Sequence, residues 1–142
     1  MARLIYGMLT SLDGYTEDER GAFRWGAPEY EGVHSYIDEL ASSVGTYLYG
    51  RRMYETMVYW ETAQAPDQPQ FIRDWARQWR AAEKVVYSRT LDQPRSARTR
   101  IEREFDGDAV RRLKAESPHD IIVAGPGLAA EAVRLGRSMS FR

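Results

Sequence analysis

The chain has 142 residues and a mass of 16.4 kDa, which is the size of one domain that can bury a core without disulfides or metals. Twenty Lys and Arg against 21 Asp and Glu leave a net charge of -1, so no overall field attracts nucleic acid or a membrane surface. The absence of cysteine excludes disulfides, thiolate metal sites and a cysteine nucleophile.

The first half of the chain predicts two strands and two helices. Residues 3–10 are apolar on both faces, which is typical of a buried central strand, and residues 11–14 form a turn. Pro28 and the acids after it predict a helix start, and apolar residues at helical spacing continue to about residue 43. A short strand over 45–50 then leads into a helix over 51–60.

The second half begins with a loop over 62–69 and continues with three helices and three strands. An apolar stripe over 71–82 predicts a helix, and 84–88 predicts a strand. Residues 99–105 alternate like a half-exposed strand at a sheet edge. Asp106 caps a helix through Lys114, a buried strand covers 119–124, and a last helix covers 128–135. This alternation predicts an α/β sandwich with a largely parallel sheet.

Other functional classes are disfavoured. No apolar run approaches the ~18–20 residues of a membrane span, so we predict a cytoplasmic protein with no membrane partner. The aromatic residues interleaved with arginines between Tyr47 and Trp60 could stack bases, but core packing explains them more simply, and no nucleic-acid partner is expected. No Gly-x-Ser-x-Gly motif supports a serine nucleophile. We expect His34 and His119 at the surface and predict no metal site.

Open parallel sheets bind ligands at the carboxyl ends of their strands. Two of the predicted strands end in residues that suit a diphosphate. One strand ends in Gly50-Arg51-Arg52, where two cations at a helix start favour an anionic ligand; alternatively, both lie in solvent and pair with Glu55 or another acid. Another ends in Gly125-Pro126-Gly127, whose missing side chains would let a diphosphate reach the N–H groups of Gly127 and Leu128. A plain Gly-rich turn is the alternative.

A third strand ends in Ser88-Arg89-Thr90, where two hydroxyls flank a guanidinium, as suits a phosphate monoester. A capped turn is the alternative. Taken together, three phosphate-compatible strand ends indicate a dinucleotide that carries a diphosphate and a 2′-phosphate, which is NADPH.

Asp13 follows the first predicted strand, between Leu12 and Gly14. A carboxylate there can bind a polar ring or relay a proton, so Asp13 is the candidate catalytic residue. An Asx-turn is the alternative explanation of an aspartate at this position.

Four blocks of the chain share their order and spacing with one family: Leu4-Ile-Tyr-Gly-Met with Ser11-Leu-Asp-Gly-Tyr15, then 47–55, 84–91 and 121–128. They resemble the dihydrofolate-reductase-like family, in the type of the riboflavin-biosynthesis reductase (RibD C-terminal) domain. The resemblance covers 1–136 and implies a three-layer sandwich with helices on both faces of the sheet. It implies an NADPH-dependent reductase of a small pterin- or pyrimidine-like heterocycle that lies near Asp13. The implied cofactor-binding residues are Gly50, Arg51, Arg52, Met53, Ser88, Arg89, Thr90, Ala124, Gly125, Pro126, Gly127 and Leu128.

The chain departs from the family pattern at two places. Folate reductases carry a carboxylate early in the first helix, and Glu29 and Glu31 are only approximate counterparts, so folate reduction is not expected. Family members continue after the last helix with about three more strands, whereas residues 137–142 form an atypical tail. A coding string for Gly-Leu-Val-Asp-Glu-Phe that loses one nucleotide would encode Gly-Arg-Ser-Met-Ser and then a Phe-compatible codon. We therefore expect a chain truncated at its C-terminus.

Two expectations follow from a truncated chain. An NADP(H)- or nucleotide-binding module without turnover becomes the alternative to the reductase. The first strand would also lose a neighbour and become an unpaired edge, which sheets avoid, so we predict a homodimer that covers this edge or adds residues 137–142 as a strand.

Overall fold

The computed structural model describes residues 2–23, 31–63 and 66–135. Within these ranges the strands are β1 (Leu4–Tyr6), β2 (Val44–Gly50), β3 (Glu83–Tyr87), β4 (Thr99–Glu102) and β5 (Asp120–Ala124). The helices are α1 (Glu31–Ala41), α2 (Arg51–Met57), α3 (Gln70–Ala81), α4 (Gly107–Glu116) and α5 (Pro126–Leu135), with a 3₁₀ turn, Val58–Glu61, after α2. The predicted helix start at Pro28, the acid Glu29 and the tail 137–142 lie outside the described residues.

The five strands form one parallel sheet in the order β1-β5-β2-β3-β4. Because successive residues of a strand point to opposite faces, Tyr47 and Tyr49 join one core cluster while Leu48 joins the other. The first cluster packs against α1, α2 and α3, and the second against α4 and α5. The structure therefore confirms the predicted three-layer α/β sandwich.

The prediction for the first strand is wrong in length, and the strand lies at an edge, as expected of a truncated chain, rather than in the centre of the sheet. The strand covers Leu4–Tyr6 rather than 3–10, and it lies at one edge of the described sheet, where it pairs with β5. The apolar run continues into a loop in which Leu9 and Leu12 are exposed. The apolar run therefore includes both the strand and a partly exposed loop, so it does not show where the strand ends. At the opposite edge, β4 alternates between half-buried and exposed residues as predicted, but it ends at Glu102 rather than at residue 105.

Two helix boundaries also differ from the predictions. The helix predicted over 51–60 changes to 3₁₀ geometry at Val58, where β-branched and aromatic residues lower helix propensity. The helix predicted from Leu128 begins at Pro126, because proline is well suited to the first helical position. The predicted cap of α4 is confirmed, since the Asp106 carboxylate accepts a hydrogen bond from the N–H of Asp108.

His34 is buried, which contradicts its predicted surface position. Its side chain is 7% exposed, and its ring lies 5.0 Å from that of Phe71 on α3. The mostly polar sequence of α1 predicts an exposed face at His34, but in the fold α3 covers that face. His119 is exposed, as predicted.

Asp120 joins three segments at the amino end of the sheet. Its carboxylate accepts hydrogen bonds from the N–H of Arg3 (2.8 Å), from the Arg3 guanidinium and from the Ser43 hydroxyl (2.9 Å). These bonds, chiefly those of the Arg3 side chain, hold the pKa of the Asp120 carboxyl well below its usual range. No helix in the described ranges is long and apolar enough to cross a membrane.

Candidate functional site

The three strand ends that the sequence singled out lie side by side. β5, β2 and β3 are neighbours in a parallel sheet, so their carboxyl ends meet at one edge. A Cβ placed on Gly125 would lie 3.5 Å from the Cβ of Met53, and the Arg51 guanidinium donates a hydrogen bond to the Thr90 hydroxyl at 2.6 Å. Segments 50–53, 88–90 and 124–128 therefore form one continuous surface.

The backbone is accessible at two glycines on this surface, Gly50 and Gly127. Apart from adjacent backbone, a Cβ placed on Gly50 or Gly127 would have no atom within 4 Å, and neither residue has a positive φ. Packing therefore does not require glycine there, and a ligand has room to approach the peptide groups. Gly127 and Leu128 also lie in the first turn of α5, where N–H groups have no acceptor within the helix. This arrangement fits an anionic group such as a diphosphate.

The two arginines that begin α2 are paired with acids. Arg51 Nε donates to Glu55 at 2.9 Å, and Arg52 Nη2 donates to Glu17 at 2.9 Å. The pairing with Glu55 is the one that the alternative interpretation of Arg51 predicted. Because all four residues are substantially exposed, each pair contributes little in water, and an anionic ligand can compete for either guanidinium.

The third strand end is a capped turn. The buried Ser88 hydroxyl accepts hydrogen bonds from the N–H groups of Thr90 (3.2 Å) and Leu91 (3.0 Å), which is the alternative that the sequence left open. Arg103 closes the same turn from the other side, because its Nη1 donates to the carbonyls of Ser88 (2.9 Å) and Leu91 (2.7 Å). A phosphate contact by Ser88 itself stays a prediction.

An open cleft of about 380 Å³ adjoins this turn. The centroids of the Tyr87 and Phe105 rings in its lining are 5.0 Å apart. Burial raises the pKa of Tyr87 to about 12. Arg89 reaches Glu104 at 3.3 Å in a solvent-exposed pair. The lining residues are Tyr87, Ser88, Arg89, Arg103, Glu104, Phe105 and Glu131. Aromatic rings beside guanidinium groups are chemically suited to a nucleoside phosphate.

Sequence reasoning missed the contribution of the β4 end to this cleft. Arg103, Glu104 and Phe105 belong to a segment that was predicted as a half-exposed edge strand with no ligand role. Ser88 N–H donates to the Glu102 carbonyl at 2.9 Å, so β4 brings Arg103 directly beside the end of β3. The charged residues at the end of the predicted edge strand were the signal that could have identified it.

Asp13 is exposed, and its carboxylate accepts a hydrogen bond from the Ser11 hydroxyl at 2.6 Å. The Ser11 hydroxyl in turn accepts from the N–H of Tyr15 at 2.9 Å. In the described part of the chain, Asp13 makes no hydrogen bond to a backbone N–H, so the turn is organised by Ser11 rather than by the Asx-turn considered for Asp13. Its carboxylate is open to solvent and to a small molecule.

The loop that carries Asp13 also contacts the start of α2. Glu17 binds Arg52, and a Cβ on Gly21 would lie 3.2 Å from Nη2 of Arg52. Gly21 has a φ of 77°, a conformation that favours glycine. The loop after β1 therefore borders the surface formed by the three strand ends.

The open parallel sheet with helices on both faces is consistent with a dihydrofolate-reductase-like α/β fold. The model of the RibD C-terminal domain family matches residues 2–136. The chain belongs to the RibD C-terminal domain family. None of the curated proteins compared with it matches.

Two solved structures share the fold at low sequence identity. A putative riboflavin biosynthesis protein from Shewanella sp. PV-4 is 21% identical with a TM-score of 0.58, over 88% of this chain and 65% of that chain. A diaminohydroxyphosphoribosylaminopyrimidine deaminase/5-amino-6-(5-phosphoribosylamino)uracil reductase from Thermotoga maritima is 13% identical with a TM-score of 0.53, over 87% of this chain and 39% of that chain. The chain thus spans less than two-thirds of the length of either protein.

Proposed function

We propose that the protein is an NADPH-dependent reductase of a small pterin- or pyrimidine-like heterocycle. The observation that carries the proposal is the meeting of segments 50–53, 88–90 and 124–128 at one edge of the sheet. Membership of the RibD C-terminal domain family supports it, since one structural neighbour is named a deaminase/5-amino-6-(5-phosphoribosylamino)uracil reductase.

The proposed site divides the cofactor among the three strand ends. The open backbone at Gly50 and Gly127 receives the diphosphate, with N–H donors from the first turn of α5. The cleft beside Ser88 and Arg89 receives the adenosine and its 2′-phosphate. When bound, the cofactor supplies a hydride from the reduced nicotinamide ring.

Asp13 is the proposed residue on the substrate side. Its carboxylate, held by the Ser11 hydroxyl on a loop that borders α2, orients a ring N–H or relays the proton that must accompany the hydride. The protein's own residues therefore bind the cofactor, orient the heterocycle and move one proton.

The test compares NADPH with NADH. The 2′-phosphate should tighten binding by about 1.5–3 kcal/mol if one or two charge-assisted hydrogen bonds form, and Arg89→Ala should reduce this preference. Arg77→Ala is the matched control, because Arg77 is about as exposed (70% against 76%) and also pairs with one acid, at 3.3 Å, but does not line the cleft. Equal affinity of the unmodified protein for both cofactors would refute the 2′-phosphate assignment.

Turnover is measured separately, by oxidation of bound NADPH in the presence of pterin- and pyrimidine-like compounds. Loss of the reduced-nicotinamide absorbance with one of them supports the reductase. Tight NADPH binding without oxidation by any of them would favour a binding module without turnover.

A further inference from the structure

Arg103 differs from the other arginines of the candidate site in its electrostatic environment. Arg51 is paired with Glu55, Arg52 with Glu17, and Arg89 with Glu104. Among the residues that the structure describes, Arg103 has no carboxylate within 4.0 Å of its guanidinium, although it lines the cleft. Its positive charge is therefore not neutralised by a direct ion pair.

The position of this guanidinium is fixed by the main chain. Nη1 of Arg103 donates to the carbonyls of Ser88 and Leu91, at 2.9 and 2.7 Å. A guanidinium has five N–H donors in a rigid plane, so Nε and Nη2 keep donors for a further acceptor while Nη1 holds the turn. The turn is itself closed by the Ser88 hydroxyl, which limits how far its carbonyls can move.

We propose that Arg103 is the main specificity-determining residue for a phosphate monoester in the cleft, which is the 2′-phosphate of the cofactor. This inference rests on the proposed function. Arg89 is a weaker candidate for the same role, because its guanidinium, 76% exposed and paired with Glu104, must be ordered when a phosphate binds, whereas two carbonyls already hold Arg103 in place. The carboxylates of Glu104 and Glu131 also line the cleft and repel an anion. A phosphate therefore needs a cation there that is not already paired with an acid.

The test measures binding of four ligands: NADPH, NADH, adenosine 2′,5′-bisphosphate and adenosine 5′-monophosphate. Arg103→Gln removes the charge and leaves a shorter side chain that still carries an N–H donor. We expect it to weaken NADPH and the bisphosphate by about tenfold or more, while NADH and the monophosphate change by less than about twofold. Arg103→Lys, which keeps the charge, should recover part of the loss.

Arg100→Gln is the matched control. Arg100 lies in β4, three residues before Arg103, and carries the same charge, but it does not line the cleft and is paired with Glu102 at 3.4 Å. It should leave the NADPH to NADH ratio unchanged. Because Arg103→Gln could disturb folding, the unmodified protein gives a second measurement: the NMR signal of Arg103 Nε–H should shift with the bisphosphate and not with the monophosphate.

The outcomes separate this inference from the proposed function. If NADPH binds more tightly than NADH and Arg103→Gln keeps that preference, the role of Arg103 is refuted while the cofactor assignment stands. A loss of affinity shared equally by all four ligands would reduce Arg103 to a structural residue of the turn and would also refute it. If NADPH is never oxidised but bisphosphate binding depends on Arg103, the specificity site is supported and the reductase is not.

Discussion

A single exposed carboxylate, Asp13, carries the proposed chemistry on the substrate side of the site. Its hydrogen bond from Ser11 sets the side-chain direction, while Ser11 and the backbone close the turn. Asp13 is therefore not needed to cap the turn, so its proposed chemical role can be tested separately from a structural one.

Asp13→Asn should lower NADPH-dependent turnover by more than about tenfold and leave NADPH affinity nearly unchanged, because asparagine still accepts from Ser11 but cannot relay a proton. Steady-state kinetics and cofactor titration give the two numbers. Glu19→Gln, which neutralises another exposed acid of the same loop, is the control. Unchanged turnover would rule out a chemical role, and loss of folding would instead assign Asp13 to the turn.

Lys84 shows how far residue chemistry depends on its surroundings. It is 1% exposed, its Nζ donates to the carbonyls of Trp79 and Arg80 at the end of α3, and it lies 4.3 Å from the Trp79 ring centroid. Burial lowers the pKa of Lys84 to about 8. The sequence did not indicate that Lys84 is buried, since lysine is rarely buried and its partners here are main-chain carbonyls that no sequence pattern reveals.

At the scale of elements, Asp120 connects β5 to the segments before β1 and β2. The Arg3 and Ser43 side chains both donate to it, and the N–H groups of Asp120 and Ile121 donate to the carbonyls of Ser43 and Arg3. This group of bonds fixes the amino ends of three neighbouring strands.

Asp120→Asn should therefore destabilise the fold by about 2–3 kcal/mol at pH 7, through loss of charge-assisted hydrogen bonds. Because the folded pKa of Asp120 is lowered from its ordinary 3.8, its contribution is present above about pH 4 and is lost as pH falls below that value. The stability difference between the unmodified protein and the variant should shrink accordingly.

Urea unfolding at several pH values measures that difference. Asp108→Asn, which removes an exposed ion pair with Arg111, is the control and should cost no more than about 0.5 kcal/mol. An equal effect of the two substitutions at pH 7 would contradict the anchoring role of Asp120.

The whole molecule presents β1 as one edge of the described sheet. Beside it, the following loop exposes Leu9, Leu12 and Tyr15. Exposed strand edges and apolar side chains favour association, so a homodimer that covers this edge remains our proposal.

Light scattering at micromolar concentration should report about twice 16.4 kDa. Ile5→Lys introduces a charge in the edge strand and should shift the protein towards monomer, whereas Val133→Lys on the exposed face of α5 should not. A stable monomer of the unmodified protein would contradict edge pairing.

Local patterns in the sequence suffice for the alternation of strands and helices, the α/β class and the types of residue that follow each strand. These follow from local signals: hydrophobic periodicity, Gly and Pro punctuation, and polar residues directly after apolar runs. They did not determine how far the first strand extends, because an apolar residue in a loop looks the same as one in a strand.

The strand order in three dimensions fixes which strand ends meet. The order β1-β5-β2-β3-β4 places Gly125 beside Met53, and Asp120 beside Arg3 across 117 positions of the chain. It also places Arg103 against the turn at Ser88. Such contacts depend on which strands pair and in what register, which no local pattern encodes, because pairing is chosen by the packing of the whole core.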